Sequence, residues 1–264
     1  MDDAHVDAYL ARIGAVRPDR PDAEALRGLQ LAHLTTVPFE NLSIHLGEPV
    51  VLDERALLEK IVDRRRGGFC YELNGAFAAL LTALGYRVTL LSARVFGGGR
   101  VSPPFDHLAL RVDLAEPWLV DVGFGAFSHH PLRLDSREDQ SDPAGVFRLS
   151  VSVSGYGDLD VALDGKPEYR LGLRPYELTD FEPTCWWQQT SPQSHFTRSL
   201  TCSVLTASGR VTLSGNRLIH TEGGERRERL LDDTEVLAAY RGHFHIALDR
   251  VPTLTAPRVP QPGA

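Results

Sequence analysis

A chain of 264 residues is long enough to bury a sizeable core as one large domain or as two or three packed subdomains. Its 42% hydrophobic and 24% charged residues are ordinary globular usage, and a net charge of −7 disfavours a nucleic-acid partner, which would call for a basic face. No run approaches a membrane span, the start Met1-Asp2-Asp3 is acidic where a signal peptide is basic, and three cysteines make no disulfide framework, so a soluble cytoplasmic protein is expected.

The first third reads as helical. Val6, Tyr9, Leu10 and Ile13 recur at helical spacing, and Gly14 is placed to end that helix. A second helix starts after Asp22, a capping residue, with Leu26, Leu29 and Leu31 as its apolar content. A third runs from about Asp53 through Val62. The fourth opens at Cys70, with Leu73, Phe77, Leu80, Leu81 and Leu84 predicted on one face and Gly85 as its stop. After Gly85 the period shortens, and segments 86–96, 107–114 and 118–122 read as strands. Residues 97–104 form a Gly/Pro loop and 128–145 a long surface loop. Further strands are expected at 146–154, 158–163, 200–206 and 210–213, and a helix at 232–241 capped by Asp232 or Asp233. The Pro-rich tail from Pro252 has little that can pack. These shifts suggest a helical part over 1–85, a β-rich part over 86–185 and a mixed part over 186–264.

Cys70 opens the strongest helix and follows Arg64-Arg65-Arg66-Gly67-Gly68-Phe69. A helix amino terminus and nearby arginines favour thiolate, and the glycines permit close approach of another backbone or a substrate. The same position also suits a small buried hydrophobe, the ordinary fate of a free cysteine. A nucleophilic thiol needs a base and something to orient that base. His107 and Asp121 lie on two short strands joined by Ala115-Glu116-Pro117, where a hairpin of even register puts both on one face. Taken alone, Asp121 reads better as a buried carboxylate that accepts backbone amides in a turn.

The segment Arg66-Gly67-Gly68-Phe69-Cys70-Tyr71-Glu72-Leu73-Asn74 resembles the nucleophile motif of the arylamine N-acetyltransferases. Pro38-Phe39-Glu40-Asn41-Leu42, Leu84-Gly85-Tyr86, Ala93-Arg94-Val95, His107-Leu108-Ala109-Leu110 and Val120-Asp121-Val122-Gly123-Phe124-Gly125 are similar to further blocks of that family, in its order. Weaker echoes are Tyr9 to Gly14 and Ser191 to Phe196. The resemblance implies an α+β, papain-like cysteine-enzyme fold with a helical first subdomain, a barrel-like middle and an α/β lid. It implies Cys70, His107 and Asp121 as a catalytic triad, acetyl-CoA as co-substrate without a metal, and an aromatic amine or hydrazine as acceptor. Phe39, Val95 and Phe196 match acceptor-pocket positions, and Gly123, Phe124 and Gly125 match a loop near the CoA entrance.

One departure is Asp106, where the family commonly has Thr before its histidine. Neighbours on a strand face opposite ways, so Asp106 is not expected to displace Asp121, although it alters the local field. The same triad also serves amide synthases that release a polyketide as a macrolactam, the alternative within this chemistry. Peptide hydrolysis or transglutamination on the same superfamily fold fits the motif blocks less well, and a non-catalytic binding protein requires an unreactive Cys70. Cys185 and Cys202 read as packed thiols, and His129-His130 and His243-x-His245 lack the partners of a zinc site. Trp186-Trp187 reads as core or interdomain packing, and Arg226-Arg227-Glu228-Arg229 as a solvated face, with a CoA-phosphate contact as a weaker reading.

Overall fold

Four of the helices start at an aspartate cap. A computed structural model describes residues 1–154 and 156–254. In α1 (Asp3–Ile13) the Asp2 side chain accepts from the His5 N–H, and Gly14 closes the helix at φ 67°. Asp22 does the same for α2 (Ala23–Thr36) through Ala25. After the short strand β1 (Phe39–Glu40) and helix α3 (Leu42–Leu46), Asp53 caps α4 (Glu54–Leu58), which runs on as a π-helical turn over Glu59–Asp63. Helix α5 (Cys70–Ala83) is buried on nearly all sides rather than along one face, because α1, α4 and the sheet beside it enclose it. It is the central helix of the first hydrophobic core.

The next strands are β2 (Arg87–Gly97), β3 (Arg100–Val101), β4 (His107–Asp113), β5 (Pro117–Val120), β6 (Leu132–Arg133), β7 (Gln140–Asp142), β8 (Gly145–Val151), β9 (Leu159–Leu163) and β10 (Lys166–Tyr176). All but β3, which folds back on β2, form one sheet in the order β6-β5-β4-β2-β10-β9-β8-β7. The sheet curls until its ends nearly meet. Gln140 of β7 bridges to β6, accepting from Arg133 N–H at 2.7 Å and donating to Arg133 C=O at 3.0 Å. The expected loop 128–145 therefore contains two short strands, and its Leu132 and Leu134 are buried in the barrel core. Strand β10 lacks the alternating pattern of a strand, because prolines and charges interrupt it. The register shifts between Pro167 and Tyr169 and between Leu171 and Pro175, which lets a strand carry residues that cannot donate to a ladder.

Strand β4 is covered on both sides. Leu108, Leu110 and Val112 join the helical core, while Ala109, one residue out of phase with them, joins the barrel core. The remaining chain contributes α6 (Glu182–Thr190), α7 (His195–Arg198), β11 (Thr201–Thr206), β12 (Gly209–Ser214), β13 (Arg217–Glu222), β14 (Glu225–Leu230) and α8 (Asp233–Phe244). The second sheet has the order β1-β11-β12-β13-β14, with α8 packed against it in a third core. Asp232 caps α8.

Trp186 and Trp187 are not packed inside: they are 66% and 40% exposed, because α6 turns Cys185 and Gln188 inward. The Arg226–Arg229 run lies on β14, exposed throughout. Residues 255–264, most of the Pro-rich tail, lie outside the described residues. Among the described residues no helix is long and apolar enough to cross a membrane.

Candidate active site

Strand β4 begins at His107 and its antiparallel neighbour β5 ends at Val120, so both termini lie at one rim of the barrel. The register pairs Leu110 with Val120, which leaves His107 and Asp121 diagonal on the same face. There the His107 Nε2 and Asp121 Oδ2 are 2.7 Å apart, and both side chains are buried. Asp121 also accepts from the Gly123 N–H at 2.9 Å. The carboxylate thus does both things its sequence context suggests, holding a turn and meeting an imidazole.

Cys70 is the first residue of α5, and the 121–123 turn packs directly on it. A Cβ on Gly123 would stand 2.7 Å from the Cys70 Cα, so only glycine fits. The sulfur sits beside the Leu108 amide, next in sequence to His107. Burial pushes the Cys70 thiol well up, the Asp106 and Asp121 carboxylates push the same way, and the Leu108 N–H opposes them. Burial raises Cys185 and Cys202 as well, Cys185 to about 12, so burial does not distinguish the three thiols. What sets Cys70 apart is its place beside the His107–Asp121 pair.

Two of the three arginines before Cys70 are paired with carboxylates. Arg66 is buried and donates to Glu40 at 3.0 Å and Glu48 at 3.1 Å, and Arg64 faces Glu59. Gly67 and Gly68 are not open to a substrate. A Cβ on Gly67 would overlap the Pro38 carbonyl, and one on Gly68 would meet Glu72 at 2.7 Å. Those glycines let the chain's own Pro38–Glu40 segment dock, with the Glu40 N–H donating to the Gly68 carbonyl at 2.8 Å. Glu72, third in α5, accepts from the Phe69 N–H and from buried Lys60 at 2.5 Å. Burial lifts its carboxyl, an effect Lys60 only partly offsets. Burial pushes Glu40 the same way, but Arg66 and Lys60 outweigh it and hold that carboxyl low. Removing one member of such a buried pair strands the other, at a cost of about 3–5 kcal/mol. The network fixes the start of α5, and with it the thiol.

Two residues here had no assigned role in the sequence. Asn74, one turn after Cys70, donates to the Leu108 carbonyl at 2.7 Å and to Asp121 Oδ1 at 2.9 Å, while its own Oδ1 accepts from Val122 N–H at 2.9 Å. Its spacing of four from Cys70 was the available signal, since i and i+4 share a helix face. Tyr169 carries no such signal, because it lies on β10, whose sequence does not alternate. Its ring is 5.3 Å from that of His107, and its buried hydroxyl has no hydrogen-bond partner among the described residues. Burial and the nearby Asp121 push that phenol well up.

The other candidates gather around this rim. The Phe124 ring stands edge-on to His107 at 5.1 Å, and a Cβ on Gly125 would touch Phe39. Phe196 lies 5.2 Å from Phe69 and 6.2 Å from Phe39, which places both beside the residue preceding Cys70. Val95 pairs with Tyr169 across β2 and β10. Asp106 turns away from His107, and its Oδ1 accepts from Gln188 Nε2 at 2.7 Å. Gln188 in turn accepts from Ser194, the cap of the helix that bears Phe196.

A cysteine at the start of a buried helix, with the turn that follows a His–Asp pair packed on it at the rim of a nearly closed sheet, belongs to the α+β, papain-like class of fold. A family profile described as N-acetyltransferase matches residues 22–252. The arylamine N-acetyltransferase of Mycolicibacterium smegmatis is 36% identical over 254 residues, 91% of each chain. The structure of the Salmonella typhimurium enzyme superposes with a TM-score of 0.87 at 30% identity, covering 97% of this chain and 96% of that one. That of Mycobacterium marinum in complex with CoA gives 0.83 at 32% identity, covering 91% and 92%. This chain belongs to the arylamine N-acetyltransferase family, and it is an acetyltransferase.

Proposed function

We propose that the protein moves an acetyl group from acetyl-CoA to arylamines and arylhydrazines in two steps, with Cys70 as nucleophile, His107 as base and Asp121 as orienter. The observation that carries this reading is the 2.7 Å contact between His107 Nε2 and Asp121, with the Asp121–Gly123 turn pressed against Cys70. Asp121 occupies Nε2, which leaves Nδ1 for the thiol proton. Because burial opposes a lone thiolate, the anion forms only as the proton passes to His107 and an ion pair replaces a buried single charge.

The Cys70 sulfur then attacks the thioester carbonyl. The C–S bond to CoA breaks, the CoA thiolate takes the proton from His107, and an acetyl-Cys70 thioester remains. An arylamine nitrogen attacks that carbonyl next, and His107 takes the amine proton as the bond to Cys70 breaks, which returns the thiol. Amides at the start of α5 are suited to hold the oxyanion. Phe39 and Phe196, with Val95 at the rim, offer a planar acceptor an aromatic wall. Gly123, Phe124 and Gly125, beside His107, are assigned to the donor side of the site, and a relative from M. marinum is solved in complex with CoA. The relatives named above are acetyltransferases, which favours acetyl over a polyketide chain.

Turnover of acetyl-CoA with an arylamine tests the assignment. Cys70→Ala is expected to abolish it, and Cys185→Ala and Cys202→Ala to retain it. Full turnover in Cys70→Ala overturns the proposal.

A further inference from the structure

Asp106, the residue before His107, carries a charge that its bonds do not call for. Its Oδ1 accepts from Gln188 Nε2 at 2.7 Å, whereas Oδ2 has no hydrogen-bond partner among the described residues, nor does the side chain join an ion pair. A neutral acceptor, a hydroxyl or an amide carbonyl, would serve Gln188 as well. The side chain is half-buried, where a lone carboxylate loses part of its hydration without a cation to replace it. The buried cations before α5 do not answer it: Arg66 is bound to Glu40 and Glu48, and Lys60 to Glu72.

The backbone holds this carboxylate in place. Phe105, just before it, has φ 65°, a left-handed conformation that a bulky side chain adopts only when its surroundings hold it there. Two bonds do so: the Phe105 N–H donates to Ser92 Oγ at 2.8 Å, and its carbonyl accepts from the Tyr71 hydroxyl at 2.8 Å. The same hydroxyl reaches the Asp106 carbonyl at 3.2 Å, and Tyr71 follows Cys70 directly in α5. After burial, the Asp106 charge is among the influences that raise the Cys70 thiol, so the carboxylate is within electrostatic reach of the sulfur. On its other side a buried chain of bonds leads to the aromatic wall. Gln188 accepts from the Ser194 hydroxyl at 2.6 Å, and Ser194 Oγ accepts from the Phe196 N–H at 3.1 Å. The Phe196 ring lies 5.2 Å from that of Phe69, the residue before Cys70.

We propose that Asp106 selects the acceptor by charge: an arylamine or arylhydrazine that is neutral or carries a cationic substituent is taken, and one that carries a carboxylate is turned away. This rests on the acetyl-transfer reading above and narrows its substrate class. Two unit charges in a partly buried site alter affinity by roughly tenfold when several ångströms apart. An acceptor carboxylate beside Phe196 meets the like charge of Asp106, and Arg66 and Lys60 are already bound to carboxylates of their own. A cationic group or an N–H donor finds Oδ2 open to it.

The acceptors 4-aminobenzoate and 4-aminobenzamide, alike in shape and different in charge, test this. In a two-step transfer kcat/KM for the acceptor reports only the discharge of acetyl-Cys70, so any effect of Asp106 on the thiol itself cancels in the ratio of the two. The unaltered protein is expected to favour the amide. Asp106→Asn, which keeps an acceptor for Gln188, is expected to cut that preference about tenfold. Salt provides a check without a variant: raising ionic strength should shrink the preference in the unaltered protein, because it screens a half-buried charge. Gln188→Leu keeps the charge and breaks the chain to Phe196, so it should weaken both acceptors alike and retain the preference. With thermal melting to show that each variant is folded, an unchanged ratio in Asp106→Asn overturns the proposal. So does a preference that salt does not move, or one that Gln188→Leu abolishes as fully as Asp106→Asn, which would make shape the cause. Any of these leaves acetyl transfer standing, whereas acetylation of neither acceptor by the unaltered protein overturns both.

Discussion

Two polar regions of this protein differ in how completely their groups are paired. Around Asp121 the bonds close on themselves: both carboxylate oxygens are taken, by His107, Asn74 and the Gly123 amide, and Asn74 uses both ends of its amide. Around Arg210, a half-buried cation has one hydroxyl for company and faces histidines instead of carboxylates. The first pattern holds reacting groups in place before a substrate arrives, which is what orientation for catalysis requires. The second leaves donors open.

The sharpest way to break the closed region is Asp121→Asn. An amide in place of the carboxylate keeps the shape but no longer stabilises a protonated His107, and kcat/KM is expected to fall by about 10³ or more. Steady-state kinetics on a folded variant checks this, and a loss below tenfold would show that the His–Asp contact is structural. Asp106 is the intermediate case, a carboxylate beside the thiol with one oxygen bonded to Gln188. Its charge raises the Cys70 thiol, so Asp106→Asn should shift the pH profile of iodoacetamide alkylation to lower pH and speed labelling a few-fold, roughly 2–10 times, at fixed pH. No shift would place the Asp106 charge too far from the sulfur to matter.

His33 sharpens the comparison from the other side, because it is underpaired although fully buried in the helical part. Its Nε2 meets the Tyr9 hydroxyl at 3.0 Å, and its Nδ1 is buried without a partner. Burial, with Arg12 nearby, pushes its pKa down to about 3 from 6.5. The unfolded chain takes up this proton near 6.5 and the folded protein only near 3. The neutral side chain's contribution is therefore whole above pH 6.5 and is lost as pH falls toward 3. Urea midpoints measured across that window should fall less steeply in His33→Gln than in the unaltered protein; parallel curves would show that other groups set the acid limb.

Much of this was legible from the sequence, and the failures share a cause. The caps Asp2, Asp22, Asp53 and Asp232 act locally, and α5 and the β4–β5 hairpin follow from short-range pattern. His107 and Asp121 could be paired because two short strands with a tight turn leave one register. Strand β10 was hidden because its prolines are tolerated only through bulges that the pairing partner supplies. The pairing of Arg66 carries no local signal, because proximity in sequence says nothing of Glu40 and Glu48, which reach it from distant segments. Trp186 and Trp187 were misread because composition does not reveal which face of a short helix turns outward. Arg210 carries no signal at all in sequence, since its meaning lies in which charges fail to surround it.

The intact mass of the protein after mixing with acetyl-CoA alone bears most directly on the central claim, that Cys70 carries the acetyl group between two substrates. A gain of about 42 Da on Cys70, discharged by an arylamine and absent in Cys70→Ala, is the expected result for a covalent intermediate. Acetyl transfer to the amine with no adduct on Cys70 at any time point would contradict it.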